Sequence, residues 1–146
     1  MDFELSKEQK DIQKAARRFA KGEFDRELAL ELEEKHEFPT EIWKKAAEEG
    51  FIGLHYPEEY GGSGYGVIEN TLVVEEFCRR DSGIGAALML VDFASENVLR
   101  YGTHEQKERY LPKLASVEYL GAYALTEPGA GSDISGLATK ARLADD

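Results

Sequence analysis

The spacing of apolar positions changes along this chain, and the changes outline its organisation. Ile12, Ala15, Ala16, Phe19 and Ala20 fall at i, i+3, i+4, i+7 and i+8, the stripe that an amphipathic α-helix presents to a core. Ser6 precedes them with Gln9 three residues on, the pattern of a capping box that satisfies orphan amides at a helix start. Gly22 weakens this helix, and a second helical stretch is expected through Leu28, Leu30 and Leu32. Pro39 interrupts. Thr40 is then expected to cap a short helix carrying Ile42, Trp43, Ala46 and Ala47, with Gly50 in the left-handed position after its end. Pro57 and Gly53, Gly61, Gly62, Gly64 and Gly66 mark residues 51–66 as a loop.

Ile68, Leu72, Val73, Val74 and Phe77 predict a third strong helix that ends near Arg79, Arg80 and Asp81. A fourth is predicted as one piece carrying Ile84, Ala87, Leu88, Val91, Val98 and Leu99, with Arg100 in its last turn and Gly102 just beyond. Thr103 and Gln106 form a second capping box, opening a helix through Tyr110 and Leu111 that Pro112 should kink or end. After Ser116 the period changes. Tyr119 to Leu125 is compatible with a strand, and Glu127 to Asp133 is rich in turn formers. Leu137, Thr139, Ala141 and Leu143 then alternate with Ala138, Lys140 and Arg142, the period of a half-buried strand. The expected fold class is therefore mainly α: a helical bundle over residues 1–117, then two β-strands and their connecting loop over 118–146 that begin a truncated β-domain. A chain ending there reads as a fragment.

Composition narrows the possible functions. In 146 residues, 42% hydrophobic and 32% charged describe a globular domain rather than a disordered or membrane chain. Eighteen Lys and Arg against 29 Asp and Glu leave a net charge of −11, which repels a phosphate backbone and sets nucleic acid aside. The nearest approach to a basic patch, Lys10, Lys14, Arg17, Arg18 and Lys21, is interrupted by Glu8, Asp11 and Glu23. The single Cys78 allows no internal disulfide and suits a reducing compartment. The N-terminus has no secretory pattern, and the longest uncharged apolar run, Gly83–Val91, falls short of the roughly 20 residues of a membrane span. A cytoplasmic location is the expectation.

Most catalytic templates are missing from the sequence. It contains neither a P-loop nor a dinucleotide-binding glycine pattern, since Gly61, Gly62, Gly64 and Gly66 are wrongly spaced. His36, His55 and His104 stand far apart, so surface or cap roles are expected and no metal site. Cys78 lies on an apolar stripe without an evident base. What remains is the run Ala124-Leu125-Thr126-Glu127-Pro128-Gly129-Ala130-Gly131-Ser132-Asp133-Ile134-Ser135-Gly136. Gly129 and Gly131 let backbone amides approach an anion closely, and Thr126 and Ser132 add hydroxyl donors for a phosphate or a heterocycle's carbonyl. Glu127 is expected to be structural, reaching back to backbone amides. An ordinary strand–turn–strand connection has the same composition.

That run resembles, at every specified position, the signature of the acyl-CoA dehydrogenase family: small, aliphatic, Ser or Thr, Glu, two free positions, small, Gly, Ser or Thr, Asp, two free positions, small. Pro57-Glu58-Glu59-Tyr60-Gly61-Gly62, Tyr101-Gly102-Thr103-His104-Glu105-Gln106-Lys107 and Tyr110-Leu111-Pro112-Lys113-Leu114-Ala115 resemble earlier segments of the same family. The resemblance runs from about Leu5 to Leu143. It implies the N-terminal helical domain and the opening of the middle β-domain of an FAD-dependent oxidoreductase of fatty acid metabolism. Such an enzyme converts an acyl-CoA to the trans-2-enoyl-CoA, passing a hydride to flavin N5 and electrons to an electron-transfer flavoprotein. The resemblance further implies that Tyr123, Ala124, Leu125 and Thr126 line the flavin ring, with Thr126 on its pyrimidine side. Gly131 and Ser132 would meet the pyrophosphate, and Ser132 the acyl-CoA as well. Gly85, Ala86, Met89 and Leu90 would line the acyl pocket or serve packing. The family's catalytic Glu belongs to a C-terminal domain, so no catalytic residue is expected in this chain, and the isolated chain should be inactive. A homo-oligomer, tetrameric at full length, is implied.

Two departures stand out. Val117 occupies a place where the family often has Gly before Glu118, and should stiffen entry into the strand. Asp92, Ser95, Glu96 and Asn97 put polarity on the fourth helix, which suits either a short, polar or ring-bearing acyl group or a wet helix face. Two other functions keep the scaffold: a non-enzymatic helical interaction module, and a related flavin oxidase.

Overall fold

The computed structural model describes residues 4–90 and 92–142. Seven α-helices are present among them: α1 (Lys7–Glu23), α2 (Arg26–Lys35), α3 (Thr40–Glu48), α4 (Val67–Arg80), α5 (Ser82–Leu90), α6 (Phe93–Tyr101) and α7 (His104–Ala115). Both capping boxes form. Gln9 N–H donates to Ser6 Oγ at 3.1 Å and Ser6 N–H to Gln9 Oε1 at 2.9 Å; Thr103 and Gln106 repeat the exchange at 3.2 and 2.8 Å. Gly22 does not end α1, which runs on to Glu23. Thr40 is the first helical residue of α3 rather than its cap, that place being taken by Pro39 without a side-chain bond. Pro112 lies inside α7, which continues to Ala115.

The helical stripes meet as their periods require. Ala16, Ala20 and Phe24 from α1, Ile42, Trp43 and Ala46 from α3, Val73 and Phe77 from α4, and Ile84, Leu88 and Met89 from α5 form one buried cluster with Phe51, Ile52 and Leu54. Phe77 is its hub. Its ring stacks on Phe19 at 5.5 Å and meets Phe24 and Phe51 edge-on at 5.2 and 5.4 Å, geometries that favour aromatic pairs beyond area burial. The Glu76 carboxylate is buried beside this hub, gripped from both sides by Arg17 of α1 at 2.7 and 2.8 Å. A second cluster joins Tyr56 and Tyr60 to Leu111 and Ala115 of α7, with Val98 and Leu99 of α6 packed on it. By contrast, α2 buries no residue and leaves Leu30 57% exposed.

The predicted fourth helix is two helices. The apolar period continues across residues 84–99, but Asp92 turns into the interior, where Tyr56 Oη donates to its Oδ1 at 2.9 Å. A tertiary hydrogen bond to a residue 36 positions away thus divides what local periodicity joined.

The two predicted strands form no ladder among the described residues. Residues 120–126 and 137–142 have no regular secondary structure, and the β pairing found is the single bridge between Glu127 and Ala130. The part of the second strand at Leu143 lies outside the described residues. A strand is defined by its partner, and an alternating sequence with no neighbouring strand stays unpaired.

Candidate functional site

The segment that follows α7 opens with Val117 at φ 55°. Tyr119 then turns back onto α7, where Lys113 Nζ lies 4.7 Å above its ring and donates to its hydroxyl at 3.2 Å. Tyr123 meets Phe93 of α6 edge-on, with centroids 5.6 Å apart. Between these elements lies a groove of ≈ 420 Å³ lined by Phe38, Ala87, Leu90, Phe93 and Tyr123, among others.

The groove sorts the residues proposed from sequence. Leu90 lines it with Tyr123, so one candidate for the acyl pocket and one for the flavin ring share a wall. Gly85 and Met89 are buried; a Cβ at Gly85 would come within 2.7 Å of the backbone of Phe77 and Cys78, so this glycine serves the close approach of α5 to α4. Ala86 is half-buried and outside the groove lining. Ala87, Phe38 and Phe93 were not singled out. Ala87 is half-buried and Phe93 exposed; which face of α5 and α6 packs inward decides both, and the continuous period over 84–99 concealed it.

Beyond Tyr123 the chain folds on itself around Glu127. Glu127 N–H donates to Ala130 O and Ala130 N–H to Glu127 O, both at 3.0 Å, closing a tight turn over Pro128 and Gly129. The Glu127 carboxylate accepts from the amides of Ala138 at 2.8 Å and Thr139 at 3.0 Å. Hydrogen bonds from Thr139 and Ala138 hold it below the usual carboxylate range. Glu127 is structural, as expected, but it reaches forward across eleven and twelve residues. Its lowered pKa makes it a poor proton acceptor. Asp133 caps a 3-10 turn, Ile134–Gly136, accepting from Ser135 N–H at 3.1 Å and from the Ser135 hydroxyl.

Several donors of this segment are left without a protein partner. Among the described residues the amides of Gly131 and Ser132 and the hydroxyls of Thr126 and Ser132 have no protein acceptor, and Thr126, Gly131 and Ser132 are exposed. Gly129 and Gly131 have no positive φ, and a Cβ built on either meets nothing within 4 Å. Neither backbone conformation nor packing requires glycine there. The donor set fits a flavin nucleotide: amides and a hydroxyl suit a pyrophosphate, and Thr126 Oγ1 a ring carbonyl or nitrogen.

The remaining titratable groups lie elsewhere. Cys78 is half-buried and its thiol is pushed up by burial and by Asp81, which removes thiolate character. His36 is the left-handed C-cap of α2, and His104 Nδ1 lies 3.2 Å from Tyr60 Oη. His55 departs from the expected surface role: its side chain is 8% exposed, with Nε2 3.0 Å from Glu96 Oε1. Asp92 and Ser95 are buried too, so the polarity of the fourth helix faces the protein interior as well as solvent. No group of three His, Cys, Asp or Glu side chains converges as metal ligands would among the described residues. No helix among them is long and apolar enough to cross a membrane.

Comparison with known proteins agrees with this architecture. Residues 6–118 match the model described as acyl-CoA dehydrogenase, N-terminal domain. Acryloyl-CoA reductase (NADH) of Anaerotignum propionicum is 44% identical over 143 residues, 98% of this chain and 36% of that protein. The chain therefore spans about a third of the length of the curated relatives it matches. A chain from the electron transferring flavoprotein study of Acidaminococcus fermentans superposes with a TM-score of 0.86 at 36% identity, covering 100% of this chain and 38% of that one. Acyl-CoA dehydrogenase complexed with FAD from Bacillus anthracis gives 0.76 at 39% identity, covering 92% and 23%.

Proposed function

The chain belongs to the acyl-CoA dehydrogenase family, and on that premise we propose that it is the N-terminal portion of an FAD-dependent enzyme acting on the α,β bond of an acyl-CoA thioester. The observation that carries this reading is the pair of glycines at 129 and 131, required by neither backbone nor packing, beside amides and hydroxyls without protein acceptors. Bound FAD would supply the acceptor for the hydride leaving the β-carbon.

The part played by this chain is to bind and orient. Gly131 and Ser132 amides with the Ser132 Oγ hold the pyrophosphate, and Ser132 also meets the acyl-CoA. Thr126 Oγ1 fixes the pyrimidine side of the ring while Tyr123, Ala124 and Leu125 line it. Leu90, with Ala87 and Phe93, forms an apolar wall that excludes water from the acyl chain. The proton on the α-carbon needs a carboxylate base. Glu127 is not that base, because its oxygens are committed to Ala138 and Thr139. The base belongs to the part of the enzyme that this chain does not span, and electrons leave through an electron-transfer flavoprotein.

Activity therefore requires the full-length protein. Assayed with acyl-CoA and a dye acceptor, the full-length protein is expected to turn over, and the 146-residue chain alone to be inactive and colourless after gel filtration. A yellow chain that keeps its flavin through the column would contradict the division of the site. A second reading has one observation in its favour: the relative from Anaerotignum propionicum is a reductase using NADH. Enoyl-CoA reduction on the same scaffold would show as NADH oxidation dependent on a short enoyl-CoA.

A further inference from the structure

Loop residues 51–57 meet the junction of α5 and α6 through a buried polar cluster that the proposed chemistry does not use. Tyr56 is 0% exposed and Asp92 5%, and the Tyr56 hydroxyl donates to Asp92 Oδ1 at 2.9 Å. Asp92 Oδ2 and His55 Nδ1 are buried without a hydrogen-bond partner among the described residues. Ser95 bonds the Asp92 carbonyl through its amide at 3.1 Å and through its hydroxyl. The titratable groups facing the cluster are His55 from the loop and Glu96 from α6; Glu96 Oε1 lies 3.0 Å from His55 Nε2 and Glu96 Oε2 2.8 Å from Arg100.

We propose that the buried Asp92 makes the contact between the loop and the α5–α6 junction a proton-dependent latch, closed while its carboxyl is neutral and released when it ionises, because burying a carboxylate with one oxygen unpartnered costs more than the Tyr56 hydrogen bond returns. A carboxylate with one oxygen unsatisfied in the interior carries a large desolvation cost. Burial accordingly raises the Asp92 pKa, and the Tyr56 hydrogen bond, His55 and the Gly53 amide offset only part of that rise. A folded-state carboxyl pKa above its unfolded value contributes stability below the unfolded pKa, and this is lost as pH rises through the folded one. Asp92 lies between Leu90 and Phe93, so release of the latch frees both groove-lining residues from one anchor. The latch stands apart from the flavin reading, because its readouts need neither cofactor nor substrate.

Amide exchange in the 146-residue chain tests it. From about pH 4 to about pH 8, protection of the Tyr56 and Ser95 amides, corrected for intrinsic exchange, should fall about tenfold per pH unit between the unfolded and folded carboxyl pKa values. In Asp92→Asn the corrected protection should stay level. An infrared carbonyl band of a protonated carboxyl should persist above the pH at which exposed carboxyls ionise, vanish at higher pH, and be missing from that interval in Asp92→Asn. Where Asp92→Asn does not fold, Tyr56→Phe serves: it removes a bond that favours the ionised form, so the midpoint of the band should move to higher pH. Identical pH dependence in wild type and Asp92→Asn, or an infrared band indifferent to both substitutions, overturns the latch.

Discussion

Val117 holds φ at 55°, in the left-handed region where a β-branched side chain crowds its own backbone at a cost of roughly 1–2 kcal/mol. The family resemblance implies that glycine often stands at this position, and valine here introduces strain just where the chain leaves α7. Val117→Gly should be close to neutral, within about 0.5 kcal/mol, because relief of that strain is offset by glycine's added flexibility and the lost packing of a half-buried valine; a large fall in the denaturant midpoint would refute this. At the residue scale the sequence was informative wherever chemistry is local. Both capping boxes and the structural character of Glu127 were legible because their partners are close by or demanded by charge. The inward turn of Asp92 and the burial of His55 were not, since each depends on a side chain far along the chain: Tyr56 for one, Glu96 for the other.

Between elements, the firmest polar contact joins α1 to α4 through Arg17 and the buried Glu76. The Arg17 guanidinium is 57% exposed while the Glu76 side chain is 1% exposed, so removing arginine strands a charge in the interior. Hydrogen bonds from Arg17 hold Glu76 below the usual carboxylate range despite its burial. A depressed folded-state pKa contributes stability above the unfolded value, lost as pH falls through the folded one. Arg17→Met should therefore lower stability at neutral pH, by less than the loss of a fully buried pair because the arginine is half solvated. The difference from wild type should shrink as Glu76 protonates; an undiminished gap at acid pH would show that the contact acts through packing alone. Helices α1 and α7 were legible from period and caps, α3 and α4 from period. The α5–α6 break was hidden because the apolar stripe continues through it. The strands over 119–125 and 137–142 stay unpaired because alternation sets which face is buried and cannot supply a partner strand.

Across the whole molecule, two helical clusters carry a loop whose exposed apolar residues, Tyr123, Leu125, Ile134 and Leu137, lie next to donors with no protein acceptors. This surface is organised by Glu127 and Asp133 yet left open on the side of Gly131. This opening is proposed to receive the flavin nucleotide, and Gly131 separates ligand contact from folding: φ there is not positive and a Cβ meets nothing within 4 Å. The decisive measurement is FAD affinity of the full-length protein with Gly131→Val, read by flavin fluorescence beside its unfolding temperature without flavin. An unchanged apoprotein midpoint is expected, with FAD binding weakened by about a hundredfold, the approximate equivalent of one or two hydrogen bonds to a charged group. Undiminished FAD binding in a folded Gly131→Val protein would contradict it.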